Sequence, residues 1–477
     1  MSSKLKQFGL VLSGVCLGVL ISLNYSANAT RETPVALPVE EARNLADVFN
    51  AIKQYYVEPV EDKKLISDAI SGMVSGLDPH SVYLDADALK DLEVSTKGEF
   101  GGLGIEVSME DGFVKVVSPI EDTPAFRAGV KAGDLIVKLD DQAVKGMSLN
   151  EAVKHMRGKP KTQIVLTIAR KGENKPIILT LTREIIKVQS VKSKLIEPGY
   201  GYLRVTQFQE QTTADVARHM ERMYKQGQLK GLVLDLRNDP GGLLNSAIGV
   251  SAAFLPAKSL VVYTDGRTDD AKRKFHAVPD DYMRGSREDV LKGLPEALKN
   301  VPMVVIVNGG SASASEIVAG ALQDYKRAKV LGIQTFGKGS VQTILPISST
   351  TGIKITTAKY FTPTGRSIQA KGIVPDYIVD ESPNGSGADV YLREADLSHH
   401  LANPNDPSSS APAATPSQSK PSSKEKDKEK GETESVRYEF GGKGDYQLEQ
   451  AMNLLKGLPV AVVPVAASQS TPAGDKP

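Results

Sequence analysis

Tryptophan is absent from this 477-residue chain, and cysteine occurs once, at Cys16. A single cysteine excludes an intrachain disulfide and any cysteine-cluster metal site. Neither sign of charge is in excess: 58 Lys and Arg face 57 Asp and Glu. That balance gives no whole-chain attraction for nucleic acid and no acidic store for cations. Long apolar runs are missing except at the N-terminus. Histidine is scarce, with six in the chain. The length suggests two or three domains with room for a sizeable core.

The N-terminus accounts for the cysteine. Lys4 and Lys6 precede an apolar run from Phe8 to Leu23, and Ala27-Asn28-Ala29 comes after it. A basic start, a short apolar run and an A-x-A pattern predict a secretory signal peptide over residues 1–29, cut after Ala29. Val15 is too bulky for lipoprotein processing at Cys16. The mature chain is then expected to work outside the cytoplasm.

The remainder divides by composition and periodicity. Residues 30–95 read as a helical region, with Leu45, Val48, Phe49, Ile52 and Tyr56 at helical spacing. Asp78-Pro79-His80-Ser81 interrupts it as a turn, where His80 has a capping or turn role rather than that of a catalytic base. Residues 96–185 form a small, mostly β domain with about two helices. Its Gly101-Gly102-Leu103-Gly104 loop enters a strand, Asp111-Gly112 marks a hairpin, and Ser148–Glu151 is a capping box. Residues 186–380 are an α/β core with two strand–glycine-turn–helix units. Within it, Arg267–Asn300 reads as a charged, irregular surface insertion. Residues 381–443 are a linker, disordered where Pro, Ser, Ala, Lys and Glu dominate. Residues 444–477 hold a short helix over Gln447–Lys456, too short to stand alone in water.

Gly310-Ser-Ala-Ser-Ala-Ser-Glu316 closes one of the turns, with serines at 311, 313 and 315. Small neighbours let a backbone approach a ligand, so the stretch reads as a site for a nucleophile. A nucleophilic serine needs a base and donors for an oxyanion. No histidine lies in a glycine turn of the α/β unit, so a Ser-His-Asp triad is poorly supported. Lysine is the other choice, since burial disfavours its ammonium. Lys338, in Phe336-Gly-Lys-Gly-Ser-Val-Gln342, is the candidate, with Gln342 placed to orient it. The first amides of the helix after Ser313, and those of Gly241 and Gly242, are candidate oxyanion donors. A phosphate loop is the rival for Gly332–Lys338, but residue 339 is Gly, so the hydroxyl for Mg²⁺ is missing.

Ser-Ala-Ser-Ala-Ser-Glu at 311–316, Phe-Gly-Lys-Gly-Ser-Val-Gln at 336–342 and Leu-Arg-Asn-Asp-Pro-Gly-Gly at 236–242 together resemble the carboxyl-terminal processing peptidases. These are serine peptidases of family S41 with a Ser-Lys dyad. Gly-Met-Val-Ser-Gly-Leu-Asp-Pro-His-Ser at 72–81 is similar to theirs, as is a PDZ domain before the core. The resemblance covers roughly residues 40–380. It implies a ClpP/crotonase-like core and picks Ser313 as nucleophile, Lys338 as base and Gln342 as its positioner. Asp324 matches an acidic position counted with the active site. It lies about 16 Å along the helix from Ser313, which favours a supporting role. Ala314 and a glycine of Gly241-Gly242 match the oxyanion hole. Gly102, Leu103, Gly104 and Ile105 match the loop that captures a C-terminal carboxylate, with the next strand pairing to the peptide.

The resemblance further implies a periplasmic endopeptidase near the inner membrane, acting on exported proteins with unstructured C-termini. Peptidoglycan hydrolases are one such substrate class, and a lipoprotein adaptor one such partner. Homo-oligomers through residues 40–56 and 447–456 are expected; nucleic acid, metal and cofactor are not. A PDZ scaffold without catalysis is the alternative reading.

Overall fold

In a computed structural model, residues 38–120, 122–173, 175–283, 285, 288–383, 391–406 and 441–462 are described. The expected signal peptide and most of the linker lie outside them. Two compact units divide between Ile70 and Ser71.

The first unit holds the helix Val39–Tyr55 and the start of Asp62–Ser75. Glu40 and Glu41 open the first helix and Lys53 closes it, each sign matching the helix dipole. Lys53 reaches forward to the Val60 carbonyl and to Asp62, both at 2.7 Å.

In the second unit, a six-stranded antiparallel sheet forms the PDZ-like domain, five strands in one path and the short Gln142–Ala143 beside Leu135–Leu139. The order along the path is Ile105–Glu110, Phe113–Pro119, Leu135–Leu139, Gln163–Ala169, Ile177–Thr182. Alternation puts Val114, Val116, Ile136, Ile164, Leu166 and Ile168 inside. The capping box at Ser148 starts the helix Leu149–Met156, as its spacing predicts. Ile105–Glu110 is one edge strand and Ile177–Thr182 the other.

The core is a six-stranded sheet, parallel except for its first strand. Its order is Val191–Glu197, Tyr200–Val205, Gly231–Asp235, Met303–Val307, Lys329–Gly332, Tyr377–Ile378. Both faces are covered, so its central strands are apolar apart from Asp235, which ends Gly231–Asp235. Leu232, Leu234, Val305 and Val307 pack toward the helices Thr212–Tyr224, Leu244–Phe254 and Ala314–Asp324. Val233, Val304 and Ile306 face the other way, onto Leu448, Ala451 and Met452 of the helix Tyr446–Leu455. A second antiparallel sheet combines Val82–Leu84, Gly352–Phe361, Leu260–Gly266 and Arg273–His276, with Ser340–Pro346 beside Gly352–Phe361.

One expectation changes. Residues 267–300 are not simply an irregular insertion: they supply the strand Arg273–His276 and bury Tyr282 and Leu298. Phe275 explains this, since its ring packs against the core among charged neighbours. The C-terminal helix, expected to need something to pack on, finds it within the chain: its apolar face lies on its own sheet. Asp445 caps it, accepting from the Leu448 amide, and forms a two-pronged ion pair with buried Arg237 at 2.6 and 2.8 Å.

Candidate active site

Two loops at the carboxyl ends of adjacent parallel strands build the site. One is 236–243, after Gly231–Asp235. The other is 308–313, after Met303–Val307. Side-chain amides zip them together: Asn238 N–H donates to Asn308 Oδ1 at 2.9 Å, and Asn308 Nδ2 returns to Asn238 Oδ1 at 2.8 Å. Ala312 N–H donates to the Asp239 carbonyl at 3.0 Å.

The three serines separate by what their hydroxyls do. Ser311 is buried and donates to the Leu236 carbonyl; Ser315 is buried and donates to the Asp239 carbonyl, each at 2.8 Å. Both tie one loop to the other. Ser313 lies between them, partly exposed to the cleft. Its backbone sits at φ 55° and ψ −110°, a strained conformation for a residue with a side chain. It caps the helix Ala314–Asp324, so the Ala314 amide opens that helix.

Glu316 holds this conformation. Fully buried, it accepts four hydrogen bonds: Ser313 N–H (2.7 Å) and Lys338 N–H (3.0 Å) on one oxygen, and Gly337 N–H (2.7 Å) and Thr335 Oγ1 (2.5 Å) on the other. Burial pushes its pKa up to about 7, against the pull of those donors. Four donors on two oxygens leave no lone pair for a proton, so the arrangement is that of a carboxylate. The same contacts account for the phosphate-loop pattern. The Gly337 and Lys338 amides point at the protein's own carboxylate.

Lys338 enters the cleft from the far side. Its Nζ donates to Gln342 Oε1 at 2.8 Å. Burial lowers its pKa to about 8, and the charge of Lys354 adds to this, while Glu394, Glu316 and Asp78 oppose it. The Tyr360 hydroxyl donates to the Lys338 carbonyl and lies beside the Ser313 side chain.

The cleft between these groups is about 870 Å³. Ser313, Ala314, Gly241, Gly242, Lys338 and Gln342 all line it, and Leu244, Ile248 and Ile317 give it an apolar wall. Gly241 (φ 97°) presses against the 308–313 loop; a Cβ there would sit 2.7 Å from the Ala312 carbonyl oxygen and 2.8 Å from Ser313 Cβ. The Gly241 amide, however, donates to Asp239 Oδ1 at 2.8 Å. As an oxyanion donor Gly241 is therefore committed elsewhere. The amides of Gly242 and Ala314 have no partner among the described residues. Burial pushes the Asp239 carboxyl up to about 8.

Asp324 is not in this cluster. At the other end of the Ser313 helix it accepts from Thr364 N–H and Oγ1 (2.9 and 2.7 Å) and pairs with Arg366. Burial resists its ionisation, and Thr362, Thr364 and Arg366 outweigh it, so its pKa is lowered. It anchors the 362–366 turn.

In the small domain, Gly102 belongs to the strand Glu99–Gly102, paired with Glu184–Lys187, rather than to an open loop. Gly101 is glycine for backbone contact, because a Cβ would lie 2.0 Å from the Gly158 carbonyl oxygen. The loop proper is Leu103-Gly104, with Gly104 at φ 75° packed on Thr123. Ile105 starts one edge strand.

Sequence reasoning missed Glu316 and Tyr360. Ser313 and Glu316 have capping-box spacing, the one signal that pointed to the carboxylate's return to the Ser313 amide. Tyr360, within a long strand, gave none. Among the described residues, no cluster of His, Cys, Asp or Glu is arranged to hold a metal ion. No described helix is long and apolar enough to cross a membrane.

Comparison with known proteins defines the class as a serine-type peptidase carrying a PDZ domain. Residues 199–379 match peptidase family S41, residues 101–181 match the PDZ domain, and residues 22–88 match the activating protease CtpB N-terminal domain. The chain belongs to the carboxy-terminal processing proteases of that family. It is 47% identical over 367 residues to the carboxy-terminal-processing protease of Bartonella bacilliformis, covering 76% of this chain and 81% of that one. It is 34% identical over 378 residues to the carboxy-terminal processing protease CtpA of Bacillus subtilis, covering 79% and 77%. The solved photosystem II D1 C-terminal processing protease is 30% identical, with a TM-score of 0.40 over 74% of this chain and 99% of that one.

Proposed function

We propose that this protein cleaves exported proteins near their C-termini with a Ser313–Lys338 dyad, outside the cytoplasm. The observation that carries the reading is that a partly exposed, strained Ser313 and a buried Lys338 whose pKa is lowered to about 8 line the same cleft. A neutral Lys338 amine takes the Ser313 proton as Oγ attacks the scissile carbonyl. The oxyanion forms against the Ala314 and Gly242 amides. Lys338 returns the proton to the leaving amine, and water then releases the acyl group. Gln342 holds the amine in place. The parallel-sheet core that positions these groups is of ClpP/crotonase-like type.

Substrate selection rests on the PDZ domain. The Leu103-Gly104 turn and the amide of Ile105 receive the terminal carboxylate, and the Ile105–Glu110 edge takes the peptide as an added strand. Peptidoglycan hydrolases and a lipoprotein adaptor remain the expected substrate class and partner.

Lys338→Arg tests the reading. Arginine keeps the positive charge but does not deprotonate, so kcat is expected to fall at least ~1,000-fold, as for Lys338→Ala. An active arginine variant removes the general-base role. EDTA leaves the wild-type rate unchanged on this account.

A further inference from the structure

The Lys338–Gln342 bond has a direction that something must set. An amide side chain can present either its oxygen or its NH₂ group. The network determines which. Gln342 Nε2 donates to Ser340 Oγ at 3.0 Å and to Thr356 Oγ1 at 3.2 Å. Thr356 Oγ1 in turn donates to Asp78 Oδ1 at 3.1 Å.

Asp78 is the fixed end of this chain. It is almost fully buried and also accepts from Ser81 Oγ (2.6 Å) and from the amides of His80 and Ser81 (2.9 and 3.0 Å). Ser81 Oγ accepts the Thr356 amide at 3.1 Å, which holds the two segments in register. Burial works against the charge on Asp78, but these donors outweigh it and its pKa is lowered. An ionised carboxylate only accepts. Thr356 must therefore turn its proton toward Asp78 and its lone pair toward Gln342, which leaves Gln342 Oε1 facing the lysine.

The same turn reaches the base from its other side. His80 Nε2 lies 2.7 Å from Glu394 Oε2. Glu394 Oε1 accepts from Gln369 Nε2 at 2.8 Å, and Gln369 Oε1 accepts the Gly339 amide at 3.0 Å. The 78–81 turn thus holds both the partner of the lysine's amine and the backbone beside it.

We propose that Asp78 is a positioning residue for Lys338, acting through Thr356 to fix the orientation of the Gln342 amide. This rests on the reading of Lys338 as general base. Neither Asp78 nor Thr356 lines the cleft, so substrate binding does not depend on them directly.

The test uses the full-length mature protein and a quenched peptide substrate. Thr356→Val is expected to lower kcat roughly 10- to 100-fold with KM unchanged, and Thr356→Ser to restore it. Asp78→Asn keeps an acceptor for Thr356 but removes a negative charge that favours the lysine's ammonium. The acid limb of its pH–rate profile is expected to move to lower pH by at least ~0.3 unit. Lys338→Ala is measured alongside. If it is inactive while Thr356→Val and Asp78→Asn keep the wild-type kcat and pH profile, the positioning role is overturned and the base stands. If Lys338→Ala is active, the base reading itself fails. Equal loss in Thr356→Val and Thr356→Ser also overturns the inference, because packing alone would then explain it. If Thr356→Val does not fold, Thr356→Ala decides: a folded variant with the wild-type kcat overturns the inference, and a loss that Thr356→Ser restores supports it.

Discussion

Ser313 and Lys338 are joined through one carboxylate oxygen, Glu316 Oε2, which accepts the backbone amide of each, at 2.7 and 3.0 Å. The proposed nucleophile and base come from loops 25 residues apart in sequence. Their spacing is therefore set by a shared acceptor as well as by the sheet. Glu316→Gln places an NH₂ group against two donors on one side or the other. The expected result is a loss of about 2–3 kcal/mol in urea denaturation, with kcat down at least ~100-fold. An unchanged melting curve and rate would remove Glu316 from the account.

The lysine gives a sign for pH. In the proposed mechanism only the neutral amine accepts the serine's proton, and burial with Lys354 lowers its pKa to about 8. The rate should rise with pH and reach half its maximum near pH 8. Stability depends on the same group. The unfolded lysine, with its ordinary pKa near ~10.4, holds its proton more tightly than the folded one. Stability contributed here rises with pH between the two values, and below the folded pKa the cost is fully present. Lys338→Met should raise stability at pH 6.5 by roughly 1–3 kcal/mol while abolishing turnover. A destabilised, inactive variant would indicate a structural lysine.

The C-terminal helix is predicted to be part of the fold. Asp445 caps it and pairs with Arg237, which precedes the Asn238–Gly242 loop. Asp445→Ala removes both interactions, at an expected cost of about 3 kcal/mol by urea denaturation. Its mass by light scattering should match the wild type. Unchanged stability with a smaller assembly would return the helix to a subunit interface.

Much of this was legible in the chain. Parallel strands buried on both faces read as unbroken apolar runs, so Leu232–Leu236 and Met303–Val307 were plain, as were the glycine turns after them. The capping box at Ser148 gave the small domain's helix start. Residues 267–300 were harder, because a strand with one apolar side chain, Phe275, carries no alternation. Gly102 was misread as loop: it ends the strand Glu99–Gly102, where a Cβ would meet the Phe100 ring at 2.8 Å, and a glycine needed for close packing looks like one needed for a ligand. Asp78 and Thr356 are 278 residues apart, and a hydrogen bond over that distance leaves no local pattern.

The most direct measurement compares Ser313→Ala with Ser311→Ala and Ser315→Ala. Each purified mature protein is incubated with an unfolded protein such as β-casein and monitored by gel over hours. Ser313→Ala should fold and cut nothing. Ser311→Ala loses two buried hydrogen bonds, to the Leu236 carbonyl and from the Asn308 amide, and Ser315→Ala loses one, at about 1–2 kcal/mol each; both should still cut. Cleavage by clean Ser313→Ala, or its loss only in a folded Ser311 or Ser315 variant, would contradict the account and move the nucleophile to another serine.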